Sequence, residues 1–577
     1  MTATERLSGP FEVYLEMEPV RSSAFDLDEF AGRVIGQPIG VAVRPSLHQA
    51  DAVRHFHGEV FGVHLTDAAG SGGVPHVIIE LRPTLYKLTH TADTRLHTGK
   101  SVKEIVSAVL DAHGLACKYR WHLPADGGPR PREFCWQLRE TDLQFVERLL
   151  AEEGYQYWFT ADAGGHILHL AAGAERLPVI GGEPLQIGVI GPDGDGGGRV
   201  GHLRRSLLAG PKQYVVTGRS ADGESAVSGT AAAGRAGTAG TVYESDGTAE
   251  TATAGKAQAA RRLAVWTAAS RTAEGSSDLR AMAAGTVAAV LDRGSKRPVK
   301  LRLTAVRHQA SQAAGVYTNT FEAVPADAPF APPRRAKPPL PGVTPATVAD
   351  GPDADGRYRL RFDLDRTQTP SGWVPLAREQ DSQFLPRPGQ RVLVECVEAD
   401  PDRPRIVRQI DPPGGKPFCP AANPLLGGIV TPAHELLFQS DPADPWVKVR
   451  AGGEYEEVVS GERHASVGTN RTEAVGGNAN WSIGGNADWS VGGGWAGTVG
   501  GAFGLSADTV TVRGGTRIAF VVGGSYIVLD SSGITVNGKP LLHLNPPGGA
   551  APSPPPDAKK PADRKSRQPK PQSKKKA

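Results

Sequence analysis

A histidine followed at once by glutamate opens the zinc-protease helix motif, and His434-Glu435-Leu436-Leu437-Phe438 begins that way. The chemistry requires a second histidine four residues after the first, on the same helical face. Phe438 stands there instead, so the ligand pair fails. His55 and His57 lie two apart in a strand-like run, hence on one face, and two imidazoles so placed could share a metal. The plainer reading is a pair of polar strand residues beside a lumen. Asp193 and Asp195 sit in GPDGDGGG, which lacks the later ligands and terminal glutamate of a calcium loop, so we read a solvated turn. Glu379 and Asp381 read as a surface pair, and Cys396, in VLVECVEA, as a thiol in a barrel core. No GxSxG elbow, phosphate loop or dinucleotide fingerprint occurs in a strand-to-helix context. The expectation is therefore no catalytic residue, no metal site and no cofactor.

The elements behind these residues have a clearer signal. Val459, Val467, Val475, Ile483, Val491 and Val499 fall eight apart without a slip, in octads such as ASVGTNRT, EAVGGNAN, WSIGGNAD and WSVGGGWA. A short fixed period means stacking. An extended octad has a contour of roughly 26 Å at about 3.3 Å per residue, which gives a three-sided coil only about three residues per side. Ordering eight backbones also costs far more than one buried valine returns. Three chains wound about one axis remove both difficulties, because each supplies one side of every layer and the valines meet in a narrow core. We expect an intertwined homotrimeric β-helix needle with that valine row as trimer core. The competing reading is a single-chain solenoid using two octads per coil. Paired glycines at 476–477, 484–485, 492–493 and 500–501 suit tight corners in either case. DTVTVRGG, RIAFVVGG and SYIVLD keep an alternation, but Val522 lies 23 residues past Val499, so the register slips.

With 577 residues the chain exceeds one core, and its excess of glycine (71) and proline (47) suits a turn-rich, mainly β, multidomain protein. Net charge is +3, yet residues 551–577 alone carry seven Lys and two Arg against Asp557 and Asp563, so the remaining 550 residues sum to −4. No basic footprint for nucleic acid lies on the folded part. Cys117, Cys135, Cys396 and Cys419 lack CxxC spacing, which points to a reducing compartment. The start has no basic stretch followed by an apolar one, and no run of 18 apolar residues occurs. The expectation is assembly in the cytoplasm without signal peptide or membrane span, and exit by a dedicated machine.

Along the chain, FEVYLE, GVAVR, HFHGEVFGVHL and HVIIELR read as strands. Ser101 to Glu104 and Thr141 to Gln144 are capping boxes opening helices that run to Gly114 and Gly154. YQYWF and HILHL form a hairpin over Asp162 to Gly165, and an Ala-rich helix is expected at 254–271. PFAPPRRAKPPLPG (329–342) is a stiff linker, followed by short alternating strands ending near Pro412, which suggest a small barrel of the oligonucleotide/oligosaccharide-binding (OB) type. We divide the chain into a base at 1–345 with a helix-containing insertion near 96–175, an OB-like barrel at 346–412, a connector at 413–440, a spike at 441–545, and a Pro/Lys-rich disordered tail at 546–577.

RHFHGEV (54–60), RETDLQFVERLLAEEGYQYWF (139–159), HLRRS (202–206), RPGQRVLVECVEADPDRPRIV (387–407), HELLFQSD (434–441) and the octads resemble the VgrG spike proteins of type VI secretion, which are similar to the hub and central spike of contractile phage tails. The resemblance covers roughly residues 10–545. It implies two tube-type barrels per chain that form a pseudo-sixfold ring from a trimer, a seat on a hexameric tube, and a small barrel joining ring to needle. The chain departs from the family at Gly389-Gln390-Arg391 and at Ala399, where glycine usually precedes DPDRP.

On this reading the protein is a trimeric cell-puncturing spike, not an enzyme, carried outward by a contractile apparatus with effectors attached. The alternative is the hub and spike of a contractile phage tail or extracellular injection particle. Only about 20 residues separate Pro412 from His434, and the tail is too poor in apolar residues to bury a core, so no enzyme domain is expected. A target membrane would be penetrated mechanically. His543 would bring three copies together near the axis at the needle's end, where they could hold a metal ion or simply cap the last layer. Lys559, Lys560, Lys574, Lys575 and Lys576 are candidate tethers for an effector, adaptor or separate tip protein.

Overall fold

The computed structural model describes residues 1–542 apart from 18–25, 45–52, 67–75, 124–129, 174–176, 191–198, 220–224, 235–236, 248, 250, 292–296, 378–384, 412–413, 416–418 and 420. Asp193, Asp195, Glu379, Asp381, His543 and the tail lysines lie outside the described residues. The chain divides into two compact units, Met1–Gly452 and the residues from Gly453 onward.

In the first unit the expected strands are present and join in one eleven-stranded sheet. Its main path runs Val200–Leu207, Arg271–Ser277, Val316–Pro325, Val299–Ser311, Thr2–Arg6, Gly9–Met17, His76–Arg82, Arg54–Thr66, Pro38–Val43. The first strand is the hinge of this order. Thr2–Arg6 pairs antiparallel with its hairpin partner and also with residues 305–309, Thr2 opposite Gln309 and Arg6 opposite Ala305. Alternation along the strands buries one face in two separate cores. Phe11, Val13, Phe56, Ile79 and Leu81 fill one, and Val200, Val290, Leu303, Val306 and Phe321 the other.

Helix α1 (Leu27–Val34) covers the sheet near Arg54–Thr66, and α2 (Val102–Ala112) and α3 (Asp142–Glu153) form the insertion. Both capping boxes are closed: Ser101 and Thr141 accept from the backbone of Glu104 and Gln144, whose side chains accept in return. Gly154 ends α3 in the left-handed region at φ 74°. The apolar stripes of α2 and α3 meet Tyr157, Leu168 and Leu170 from a sheet of Tyr119–His122, Tyr155–Ala161 and His166–Ala172. Helix α4 (Ala252–Ser270) packs on a further three-stranded sheet so closely that a Cβ at Gly229 would lie 1.9 Å from the Gly255 carbonyl carbon. Among the described residues, no helix is long and apolar enough to cross a membrane.

The small barrel orders its strands Trp373–Pro375, Arg357–Phe362, Val343–Asp350, Arg391–Cys396, Pro404–Ile410. A parallel bridge between Leu376 and Ile406 closes it, with the third and fifth strands side by side as in an OB barrel. After it, Leu426–Val430, His434–Gln439 and Trp446–Ala451 form a meander. In the second unit, Gly453 to Thr516 pair in no strand, and Arg517–Val522, Ser525–Asp530 and Gly533–Asn537 make a second meander.

Candidate assembly site

The octads pair in no strand ladder within their own chain. All residues from 452 to 516 are exposed, and the β-branched row stays about half open, from 46% at Val459 to 55% at Ile483. Chain direction changes at the glycine pairs 476–477, 484–485 and 492–493. Trp481 and Trp489, eight residues apart, bring their rings within 6.2 Å, far less than a straight octad's length of about 26 Å, so the repeat bends back on itself. Six β-branched side chains at one fixed spacing therefore leave a regular row of apolar surface open in the single chain. The two meanders share the condition. Ile429, Val430, Phe438, Val447 and Val449 are exposed in one, and Phe520, Val522, Ile534 and Val536 in the other.

A second assembly lies inside the first unit, where the small barrel, the insertion and the Pro-rich linker meet. The barrel's core is completed from outside itself: Trp136 stacks edge-on against Phe362 at 5.3 Å, and Leu96 joins the same cluster. The ribbon that supplies them, Ala92–His97 paired with Cys135–Thr141, is held by hydrogen bonds. Asp402 accepts from the Trp136 amide at 2.8 Å, Glu133 from the Trp373 amide at 2.8 Å, and Asp93 binds Arg366 through two nitrogens. Lys337 of the linker donates to Asp400 at 2.9 Å and Asp402 at 2.7 Å. Burial works against its charge, but Asp402 and Asp400 outweigh it and hold the ammonium above lysine's ordinary value.

Behind that pair, Arg148 is fully buried and donates to both carboxylate oxygens of Glu140, to the Trp136 carbonyl and to Glu152. Arg132 takes the other oxygen of Glu152 and also Glu153. Burial alone would raise the Glu152 carboxyl, yet Arg132, Arg148 and Lys337 together hold it well below the carboxylate range. The DPDRP run therefore serves as the acceptor loop of an ionic clasp. Sequence reading marked the run but not its partners, and a lysine inside a Pro-rich linker was the available signal. Glu398 and Ala399, just before it, both lie at positive φ (56° and 58°), the region that glycine occupies without strain.

The residues considered for catalysis or metal binding are scattered. His434-Glu435 lies on a β-strand, not a helix, and Glu435 is bound by Lys448 and Arg450 across the meander. His57 faces His166, Nδ1 to Nδ1 at 3.5 Å. Among the described residues, no three His, Cys, Asp or Glu groups approach closely enough to hold a metal ion. Burial pushes the Cys396 thiol up to about 12, and the Cys135 thiol likewise, as core thiols require. Polar clusters that sequence alone does not reveal are the buried Glu5-His308-Tyr317, deep in the sheet, and the half-buried His169 and His122 stacked with Trp158.

The family model described as the phage tail baseplate hub (GPD) matches residues 4–314. Among characterised proteins, the type VI secretion system spike protein VgrG1b of Pseudomonas aeruginosa is 33% identical over 180 residues, 31% of this chain and 22% of that protein. Spike protein VgrG4b of the same organism is 28% identical over 448 residues, 70% of this chain and 53% of that one. The first of these matches thus spans about a fifth of the relative's length. Among solved structures, an E. coli component of the type VI secretion system, itself similar to the T4 bacteriophage tail proteins gp27 and gp5, aligns with a TM-score of 0.52 at 19% identity. That alignment covers 71% of this chain and 95% of the other, and carries the fold.

Proposed function

Because the chain belongs to the phage tail baseplate hub family, we propose that it is the trimeric puncturing spike of a type VI contractile apparatus, seated on a hexameric tube and carrying effectors at its far end. One observation carries this reading: six β-branched residues at a fixed period of eight, each about half exposed in the single chain. Three copies would bury that row on a common axis and pair every strand edge with another chain, so axial force is shared by many hydrogen bonds. The role is mechanical and uses no cofactor. A phage-tail or extracellular injection particle would use the same residues, and the hub-family match supports that second setting equally.

The base contributes rigidity. Lys337 bound to Asp400 and Asp402, with Asp402 also accepting from the Trp136 amide, joins linker, small barrel and insertion, which would stiffen this part of the base under load. Tail lysines Lys559, Lys560, Lys574, Lys575 and Lys576 are assigned as point charges for an acidic cargo or tip protein. Sedimentation of the full chain tests the central claim. A species of three times 60.7 kDa is expected, and a lone chain whose C-terminal third is still ordered would overturn it.

A further inference from the structure

The octads are bracketed in sequence by two meanders that share one design. In the first, cross-strand register sets Ile429, Leu436 and Val449 in one row and Gly427, Phe438 and Val447 in the next, all on one face. The other face carries Glu435 with its ionic partners Lys448 and Arg450. In the second meander, Ile518, Leu529 and Ile534 make one row and Phe520, Ile527 and Val536 the next. Its other face carries Arg517, Asp530, Thr535 and Asn537. Each meander thus has one face without Asp, Glu, Lys or Arg, and in the single chain that face of the second stays open, from 42% at Ile527 to 72% at Ile534.

Geometry and chain path select further copies of this chain as the cover. A three-stranded face is about 14 Å across at about 4.8 Å per strand, and three of them close a triangular tube whose axis lies about 4 Å from each sheet. Packed sheets stand about 10 Å apart, which allots about 5 Å to each layer of side chains, so three faces fill that tube by themselves. Each face is about 14 Å by 17 Å, and two per chain supply more than half of the roughly 800 Å² that a stable interface buries on each partner. Seven residues lie between Ala451 and Val459, and 17 between Val499 and Arg517. Chains wound together through the valine row therefore hold three copies of each face at a high effective concentration, which favours them over any free partner.

We propose that each meander packs its apolar face against the same face of two further copies of this chain, closing the repeat at both ends and setting its register. This rests on the trimeric needle reading. Identical octads tolerate a slip of one layer, because valine then meets valine again. Each meander occurs once per chain, so it closes only when the three chains run level, and the two together forbid the slip that the octads allow.

The test places single cysteines on the two faces of each middle strand: Ile527→Cys beside Tyr526→Cys, and Phe438→Cys beside Leu437→Cys. Neighbours in a strand point to opposite faces. Each full chain is sized by sedimentation and then treated with a mild oxidant. Disulfide-linked peptides are identified by mass spectrometry against the original chain, whose four cysteines set the background. We expect trimers in which Ile527→Cys and Phe438→Cys join chains about tenfold or more above their neighbours, because a disulfide needs Cα atoms within about 7 Å and Cβ atoms that face each other. A slip of one layer would exceed that reach. If Ile527→Cys or Phe438→Cys loses the trimer while its neighbour keeps it, that side chain lies between copies and the proposal stands. Trimers in which either pair gives equal yields, or none, overturn it and leave the faces to a protein other than this chain, with the needle reading intact. An original chain of single-chain mass removes the needle reading and this one with it, and that result is read before any oxidant is added.

Discussion

Residues 1–452 and the repeat that follows them solve opposite problems with similar β-forming composition. In the base every described strand finds its partner in the same chain, and side chains such as Val13, Leu81, Leu303 and Val392 are completely buried. In the repeat, chemically equal valines stay half in water. The difference lies in sequence separation. The base closes its sheet by pairing residues 2–6 with residues 305–309, a contact that only a long, varied chain can make. An octad repeat offers each valine nothing but a copy of its own neighbours, and the proposed trimer would supply the missing surface from other chains. On the proposed trimer, the base would fold within one chain and the repeat only in company, which would leave the repeat without free edges.

The largest break in that comparison is a charge in the valine row. Val475→Asp or Ile483→Asp would force three carboxylates into one dry layer. The expected outcome is loss of the trimer by sedimentation, while the base keeps its cooperative unfolding transition. If the variant is a trimer of normal thermal stability, the row is not the core and the contrast between the two regions disappears.

Next in size is a break in the base alone. Arg148→Ala would leave Glu140 and Glu152 facing a buried seam with fewer donors. Loss of about 3–5 kcal/mol is expected in denaturant unfolding of the full chain, as for one partner removed from a buried ion pair. The sedimentation mass should stay that of the trimer, since the octads do not share this network. A loss below about 1 kcal/mol would mean that the clasp is decoration on a joint made by Trp136 and Phe362.

Acid sharpens the contrast through buried imidazoles. Burial pulls His97, His166 and His169 down to about 4, helped by Arg95 at the first, by His57 at the second and by His122 at the third. In the unfolded chain these rings protonate near 6.5, so between about 6.5 and 4 the unfolded state binds more protons. Their contribution is complete above pH 6.5 and is lost as pH falls toward 4. The thermal midpoint of the base should drop over that window, while the valine row, which carries no titrating group, should leave the sedimentation mass unchanged. A base midpoint constant from pH 7 to 4 would mean that these rings are hydrated in solution.

Local signals made much of this legible. Capping boxes at Ser101 and Thr141 placed α2 and α3, alternation placed most strands, and the period of eight placed the repeat. Non-local partnerships were not legible. Nothing in Thr2–Arg6 announces Val299–Ser311, and nothing in Leu96 or Trp136 announces that they complete the core of a barrel built more than 200 residues later. Ionic partners were equally hidden, because Asp402 reads as a surface turn until Lys337 and the Trp136 amide are brought to it.

The smallest test concerns a single dihedral in that turn. Ala399 sits at φ 58° with its carbonyl accepting from the Leu340 amide at 2.8 Å, so the loop must hold a left-handed conformation to meet the linker. Alanine there carries a strain of about 1–2 kcal/mol from its Cβ. Glycine removes that strain but gives the unfolded chain more freedom, which takes back about 0.4–1 kcal/mol. Ala399→Gly should therefore stabilise the base by about 0.5–1 kcal/mol in denaturant unfolding, with Lys337 still bound to Asp400 and Asp402. The repeat should not respond, because its layers do not include this turn. A fall in stability would mean that the methyl group's packing outweighs the dihedral, and that Ala399 is itself part of the clasp.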